Sequence, residues 1–302
     1  MIGIIGSGNV GANAAFFLAE KGVDDVMLYD IQEGMAKGKA LDMMEAAPIR
    51  GYRTRISGTD SPRDVLGCDI VIITAGAFRK PGMKRDELFT ANKKIIEDYA
   101  SQITNPKTKV IIVPEPVDVL TTVFARASGL PPNQIMGLGG ILDATRLRFL
   151  IAKALSVSME NVSAQVVGRH TDDMIPVQNY CSVSGISLDH FFSGDEIADL
   201  FEQTRRAGGL ILDLAGRASA YYGPSAVIAE LVEAIVMDTG RLLSVSLLFS
   251  GEFGIKDLAL SLPCIIGRTG ITRVIQPRLN DGQIQVLKQS ADLISQTIKE
   301  AK

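Results

Sequence analysis

Short apolar runs rich in Ile and Val recur through the first half of the chain, at residues 1–5, 25–29, 70–74, 110–113 and 134–138. Near-continuous apolar runs of this length mark strands buried on both faces, as in parallel sheets. Between them, residues 10–20 and 88–101 carry apolar side chains at helical spacing. Right-handed crossovers would lay such helices on both sheet faces. The expected architecture is therefore α/β, a doubly wound parallel sheet over residues 1–144. Beyond Leu142 the pattern loosens into helical stretches at 143–155, 196–214, 225–238 and 281–300, with a strand at 162–167 and further strands later. That mixture predicts a second α+β lobe over residues 145–302, with a site in the shared interface.

Gly6-Ser7-Gly8-Asn9-Val10-Gly11 follows the first strand directly and opens the first helix. In that setting Gly6 permits the tight turn, Gly8 lets backbone approach a pyrophosphate, and Gly11 lets the helix pack closely. The free amides of the helix start favour phosphate charge. The pattern is that of a Rossmann dinucleotide site. The second strand ends at Asp30, about twenty residues on, where a carboxylate suits the adenosine ribose hydroxyls and repels a 2′-phosphate. NAD is expected over NADP; the alternative for Asp30 is that it simply begins a turn.

The chain has two histidines, the side chain suited to proton exchange near neutral pH. His170 lies where the apolar stretch Val166-Val167 runs into Gly168-Arg169-His170-Thr171-Asp172-Asp173, a strand-to-loop junction that suits a functional side chain. His190, beside Phe191 and Phe192, reads as a packing or surface residue. Asp143 and Arg146, at i,i+3 spacing, share one helix face. Spacing alone favours a helix-start carboxylate with an intrahelical ion pair; a shared pocket is the other reading. The loop after residues 70–74 sets Arg79, Lys80, Lys84 and Arg85 among glycines and Pro81, at the sheet edge where open α/β folds bind ligands.

The chain resembles the malate and lactate dehydrogenase family, and within it the lactate-dehydrogenase-like malate dehydrogenases. The resemblance rests on Gly6 to Gly11, the loop at 75–88, Pro116-Val117-Asp118, Gly139-Gly140-Ile141-Leu142-Asp143-Ala144-Thr145-Arg146, the His170 segment, Ser219-Ala220-Tyr221-Tyr222 and Gly251-Glu252-Phe253-Gly254. It implies that His170 takes the hydroxyl proton and Asp143 orients its ring. It implies further that Arg146 grips the substrate's 1-carboxylate through two parallel hydrogen bonds and that Arg85 polarises the carbonyl after loop closure. Arg79 stands where dicarboxylate enzymes carry Arg and lactate enzymes usually Gln, which favours malate and oxaloacetate. Ser219 and Glu115 are expected at the substrate. Besides the fingerprint and Asp30, the residues Thr74, Ala75, Gly76, Asn92, Val113 and Glu115 are expected at NAD. A homodimer or homotetramer is implied.

Three positions depart from the family pattern. Glu115 replaces a usual Asn, and an ionised carboxylate there would repel a dianion. The expected outcomes are a protonated Glu115, a pairing with a nearby Arg, or a substrate other than malate. Thr171 replaces a usual Gly and would be strained if that position required positive φ. Arg169 adds bulk beside His170. These changes keep two alternatives in view: a lactate or other 2-hydroxy-acid dehydrogenase, and a catalytically weak family member that binds NAD. An NAD-dependent glycosidase ranks last, for want of a plausible Cys/His metal pair.

Composition narrows the classes further. A net charge of -3, with basic residues scattered among acidic ones, points away from nucleic acid. Cys68, Cys181 and Cys264, odd in number and far apart, suit reduced core thiols in a cytoplasmic protein better than disulfides or a metal cluster. The opening apolar run stops at Gly6 without a basic leader, so no signal peptide is expected, and no later stretch approaches membrane-spanning length.

Overall fold

The computed structural model describes residues 1–77, 85–216 and 220–300, apart from the side chains of 85–88. The first half builds strands β1 (Ile2–Ile5), β2 (Val26–Tyr29), β3 (Ile56–Thr59), β4 (Ile70–Ile73), β5 (Lys109–Ile112) and β6 (Ile135–Gly137). Helices α1 (Asn9–Lys21), α2 (Met35–Arg50), α3 (Pro62–Leu66), α4 (Arg85–Gln102) and α5 (Val117–Ser128) connect them. All four residues of β1 and of β4 are buried, as strands covered on both faces require. The strand β3 was not anticipated: its sequence, Ile-Ser-Gly-Thr, is half-polar because it borders only β2, at the sheet's edge.

The second half begins with α6 (Gly140–Leu155), which runs unbroken through residues 144 and 145 and brings Asp143 into its first turn. The expected strand at 162–167 is two pieces, β7 (Val162–Ser163) and β8 (Val166–Val167). They part because β7 pairs with β10 (Ser182–Val183), itself paired with β11 (Ile186–Ser187), whereas β8 pairs with β9 (Ile175–Pro176). The remainder is α7 (Gly194–Ala215), α8 (Tyr222–Val236), β12 (Arg241–Ser250), β13 (Lys256–Gly267), β14 (Gly270–Val274) and α9 (Asp281–Glu300).

The sheet does not stop at the first half. Its order is β14-β13-β12-β6-β5-β4-β1-β2-β3, parallel from β3 to β6 and antiparallel from β6 to β14. One hydrophobic core accordingly joins Ile4, Ile72 and Ile111 to Val245, Leu260 and Leu262. Docking of α8 on α1 adds a second seam, with Ser225 Oγ donating to the Val10 carbonyl at 2.8 Å and Lys21 Nζ 2.6 Å from Glu233. The three cysteines are buried free thiols. Burial pushes Cys181 up to about 11 and Cys264 up to about 12, which keeps them unreactive.

Candidate active site

Strand order reverses between β1 and β4, and an open α/β sheet holds its ligand in the crevice at that point. Gly6 leaves β1 there with φ 102°, and Thr74 leaves β4 beside it, its Oγ1 donating to the Gly6 carbonyl at 2.9 Å. The amides of Thr74 and Ala75 both donate to Ile5, at 2.8 and 2.9 Å, locking the two strand ends together. A Cβ on Gly11 would stand 1.9 Å from the Gly6 carbonyl oxygen, so only glycine lets α1 start this close to β1. At Gly8 the same test meets nothing within 4 Å, leaving the outer face of the turn open. There the helix-start amides of Asn9, Val10 and Gly11 have no partner inside the helix. Asp30 closes the cradle: Oδ2 accepts from the Ser7 amide at 2.6 Å and Oδ1 from Gln32 at 3.0 Å. Open glycine backbone, free amides and a fixed carboxylate fit a dinucleotide's pyrophosphate and ribose.

Further along the same edge, buried Asn92 on α4 ties two loops together. Its Oδ1 accepts from the Ala77 amide at 2.6 Å and its Nδ2 donates to the Glu115 carbonyl at 2.7 Å, across a cis peptide bond from Pro116. A Cβ on Gly76 would press on Pro114 at 2.9 Å, and Val113 continues β5 through its amide to Ile73, at 3.1 Å. All these residues line the carboxyl ends of β4 and β5.

His170 enters from the second half. Its Nδ1 lies 2.6 Å from Asp143 Oδ2, and the Asp143 side chain is 1% exposed. Arg146 Nη1 donates to the other Asp143 oxygen at 3.3 Å, which is the intrahelical ion pair expected from the spacing, and the same carboxylate holds His170. The His170 amide donates to Asp118 Oδ2 at 2.7 Å, and Asp118 Oδ1 accepts from Ser246 Oγ at 2.6 Å. Thus α5, α6 and β12 fix the loop from three sides. His190 is exposed in a turn at Leu188–His190, remote from this cluster in character.

Two family models cover nearly the whole chain. Residues 1–137 match the lactate/malate dehydrogenase NAD binding domain and residues 141–302 the lactate/malate dehydrogenase alpha/beta C-terminal domain. The chain belongs to the lactate/malate dehydrogenase family. It is 39% identical over 299 residues to a malate dehydrogenase of Roseiflexus sp. (strain RS-1), covering 98% of this chain and 97% of that one. The solved apo malate dehydrogenase of Picrophilus torridus superposes with a TM-score of 0.94 at 36% identity, over 99% of this chain and 96% of that one. A Cryptosporidium parvum lactate dehydrogenase, solved with lactic acid and nicotinamide adenine dinucleotide, gives 0.93 at 32% identity, over 99% and 97%. Membership in the lactate/malate dehydrogenase family makes this an NAD-dependent 2-hydroxy acid oxidoreductase.

The three residues expected from the sequence to depart from the family pattern find partners of their own. Glu115 pairs, among the described residues, with His170 and not with an arginine: Oε1 stands 3.4 Å from Nε2, on the side of the ring away from Asp143. Thr171 does not have positive φ; the left-handed residue of this loop is Gly168, at 89°. Thr171 Oγ1 donates to Asp173, and Arg169 reaches the same carboxylate at 3.0 and 3.1 Å. Ser290 Oγ of α9 completes the cluster at 2.5 Å. Arg79 and Ser219 lie outside the described residues, as does the side chain of Arg85, whose backbone begins α4. Among the described residues, no group of three or more His, Cys, Asp or Glu could hold a metal.

Asp118 is the site residue that sequence reasoning passed over, although a carboxylate within Val117-Asp118-Val119-Leu120 is a signal: an ionisable group on an apolar helix needs a buried partner. Burial pushes its pKa up to about 6 against the hydrogen bonds from Ser246 and His170. Burial also works against a charged His170, but the Asp143 and Glu115 carboxylates outweigh it and push the imidazole up to about 9. A midpoint raised on folding stabilises the fold below the unfolded value, about 6.5, and that stability is lost as pH rises through about 9. Asp118 has the same sign at lower pH. Unfolding free energy measured with denaturant is therefore expected to fall on the order of 2 kcal/mol between pH 6.5 and 10, the half-exposed Glu115 being screened by solvent. His170→Asn should remove most of that slope; an equal slope in the variant would assign it elsewhere.

Proposed function

We propose that this protein interconverts malate and oxaloacetate with NAD, through residues 1–144 as the cofactor unit and 145–302 as the substrate unit. The supporting observation is the 2.6 Å contact between His170 Nδ1 and the buried Asp143 carboxylate, at the cofactor end of the sheet. When bound, NAD supplies the hydride acceptor. The chain's own residues do the rest. His170 carries the proton at Nε2, and Asp143 holds the ring and stabilises its cationic form. Arg146, beside Asp143, offers a planar guanidinium for the substrate's 1-carboxylate. Arg85 at the start of α4 polarises the reacting carbonyl, with Ser219 at the substrate.

Arg79 selects the dicarboxylate. Pyruvate would leave its cation unpaired in a closed site, which is costly. Arg79→Gln is expected to lower kcat/KM for oxaloacetate on the order of tenfold to a hundredfold more than for pyruvate. Equal losses would remove Arg79 from the specificity argument. The direct test of the function is absorbance at the nicotinamide band with oxaloacetate, pyruvate and longer 2-oxo acids, each with NADH and NADPH. Turnover restricted to pyruvate would move the substrate to lactate, and no turnover would make this an NAD-binding member without dehydrogenase activity.

The reading extends to a cytoplasmic homodimer or homotetramer serving the tricarboxylic acid cycle. Supporting self-association, Leu41 and Ile49 stand exposed on α2, the latter at 88%. Among the described residues no helix is long and apolar enough to cross a membrane.

A further inference from the structure

The imidazole of His170 stands between two carboxylates. Asp143 Oδ2 lies 2.6 Å from Nδ1 and Glu115 Oε1 lies 3.4 Å from Nε2. The Asp143 contact belongs to the reading above; the Glu115 contact comes from a residue at which this chain departs from its family. Glu115 is held at its root rather than dangling. Its carbonyl accepts from buried Asn92 at 2.7 Å, and its Oε2 accepts from the Val117 amide, at the first turn of α5, at 3.3 Å. With the side chain 55% exposed, Glu115 stands at the mouth of the cleft, on the ring atom that faces away from Asp143.

A neutral amide at that place can hydrogen-bond to either protonation state of an imidazole. A carboxylate favours the cation. Among the described residues, the other charged groups around the ring do not cancel it. On α6, Asp143 adds to the effect and Arg146 opposes both carboxylates. On α5, Asp118 meets the His170 backbone, and within the loop Arg169 and Asp173 are paired with each other. Asp172 completes the charged residues of that loop.

We propose that Glu115 is a positioning residue that holds His170 as the imidazolium with its Nε2 proton directed into the cleft, setting the site for reduction of 2-oxo acids at neutral pH. The proposal rests on His170 being the proton carrier. In the reducing direction the Nε2–H bond breaks as an O–H bond forms on the substrate's C2 oxygen. Bound NADH would be the source of the hydride added at C2, leaving NAD, so that the ketone is reduced to the alcohol. The neutral ring then regains a proton from water, and Glu115 draws it back to Nε2. In the oxidising direction the same contact is a brake, because the proton must leave His170 before the ring can accept another.

With two histidines in the chain, ring-labelled histidine NMR on the free protein reads the claim without cofactor or substrate. A His190→Gln background leaves His170 as the one ring signal. The His170 midpoint is expected near 9 in the parent and lower in Glu115→Gln, where Asp143 keeps part of the elevation, with Glu115→Asp restoring part of the difference. In kinetics, Glu115→Gln should raise malate oxidation at pH 7 about tenfold for each unit by which the midpoint falls, while oxaloacetate reduction loses its alkaline plateau. A parent midpoint near 6.5, or one that Glu115→Gln leaves in place, overturns the proposal even if a variant folds poorly. A midpoint that moves without any shift between oxidation and reduction overturns the directional part. A midpoint that moves in a protein that turns over no 2-oxo acid supports the Glu115 contact and rejects the dehydrogenase reading, so the two failures are distinct.

Discussion

His170→Asn is expected to lower kcat for oxaloacetate reduction by roughly 10²- to 10⁴-fold while the protein remains folded. The asparagine keeps the backbone amide that donates to Asp118 at 2.7 Å, so the loop retains its anchor on α5. What disappears is an imidazole whose Nδ1 is held by the buried Asp143 carboxylate and whose Nε2 is the nitrogen turned away from it. Asp143→Asn should cost nearly as much by a different route. An amide oxygen can still accept from Nδ1 across the 2.6 Å gap, but the charge that stabilises the cationic ring is gone and Arg146 loses its carboxylate partner at 3.3 Å. Steady-state rates with NADH, set beside circular dichroism and melting curves, check both. A His170→Asn enzyme with near-parental turnover would take the proton transfer away from this residue.

Asp118→Ala carries the second large effect, here divided between stability and rate. The substitution strands the His170 amide and the Ser246 hydroxyl in a buried setting, at a cost of about 1–3 kcal/mol for each donor left unsatisfied. It also frees the strand-to-loop junction that aims the imidazole, so kcat should fall on the order of a hundredfold, the price of a misplacement of about 1 Å. Asp118→Asn separates the two consequences. Its carbonyl can accept from the His170 amide and its NH₂ can donate to Ser246, whose hydroxyl rotates to accept. Because burial holds the Asp118 carboxyl up near 6, the neutral amide also escapes the cost of an ionised group at pH 8. Urea unfolding at pH 8 is expected to place Asp118→Asn at or above the parent and Asp118→Ala well below it. Equal losses would mean that the hydrogen bonds at Asp118 do not govern the site.

Parts of this molecule were legible from residue order, and the reason is that they are local. Periods of burial along β1, β4 and β5 and along α1 follow from which side chains avoid water. The glycine turn is also a local matter, since Gly6 and Gly11 are required by contacts within a few residues and with the neighbouring strand end. Even the closing helix, expected at 281–300, is Asp281–Glu300 in the structure. The strand at 162–167 was misjudged because apolar composition marks burial but does not choose partners, and β7 and β8 answer to different neighbours. For the same reason the edge strand β3, with little to bury, left no trace.

What the amino-acid order determined by itself was the alternation that makes a doubly wound sheet, the glycine-lined dinucleotide turn, and the short list of side chains able to exchange a proton. Only the tertiary structure decided that β12, β13 and β14 extend that sheet, that Asp118 and Ser246 hold the His170 loop, and that Glu115 meets the imidazole of His170. Periodicity is carried by neighbours in sequence. A charge pair between residues 115 and 170 depends on where two separately packed loops come to rest, and that position is set by the whole core rather than by either segment.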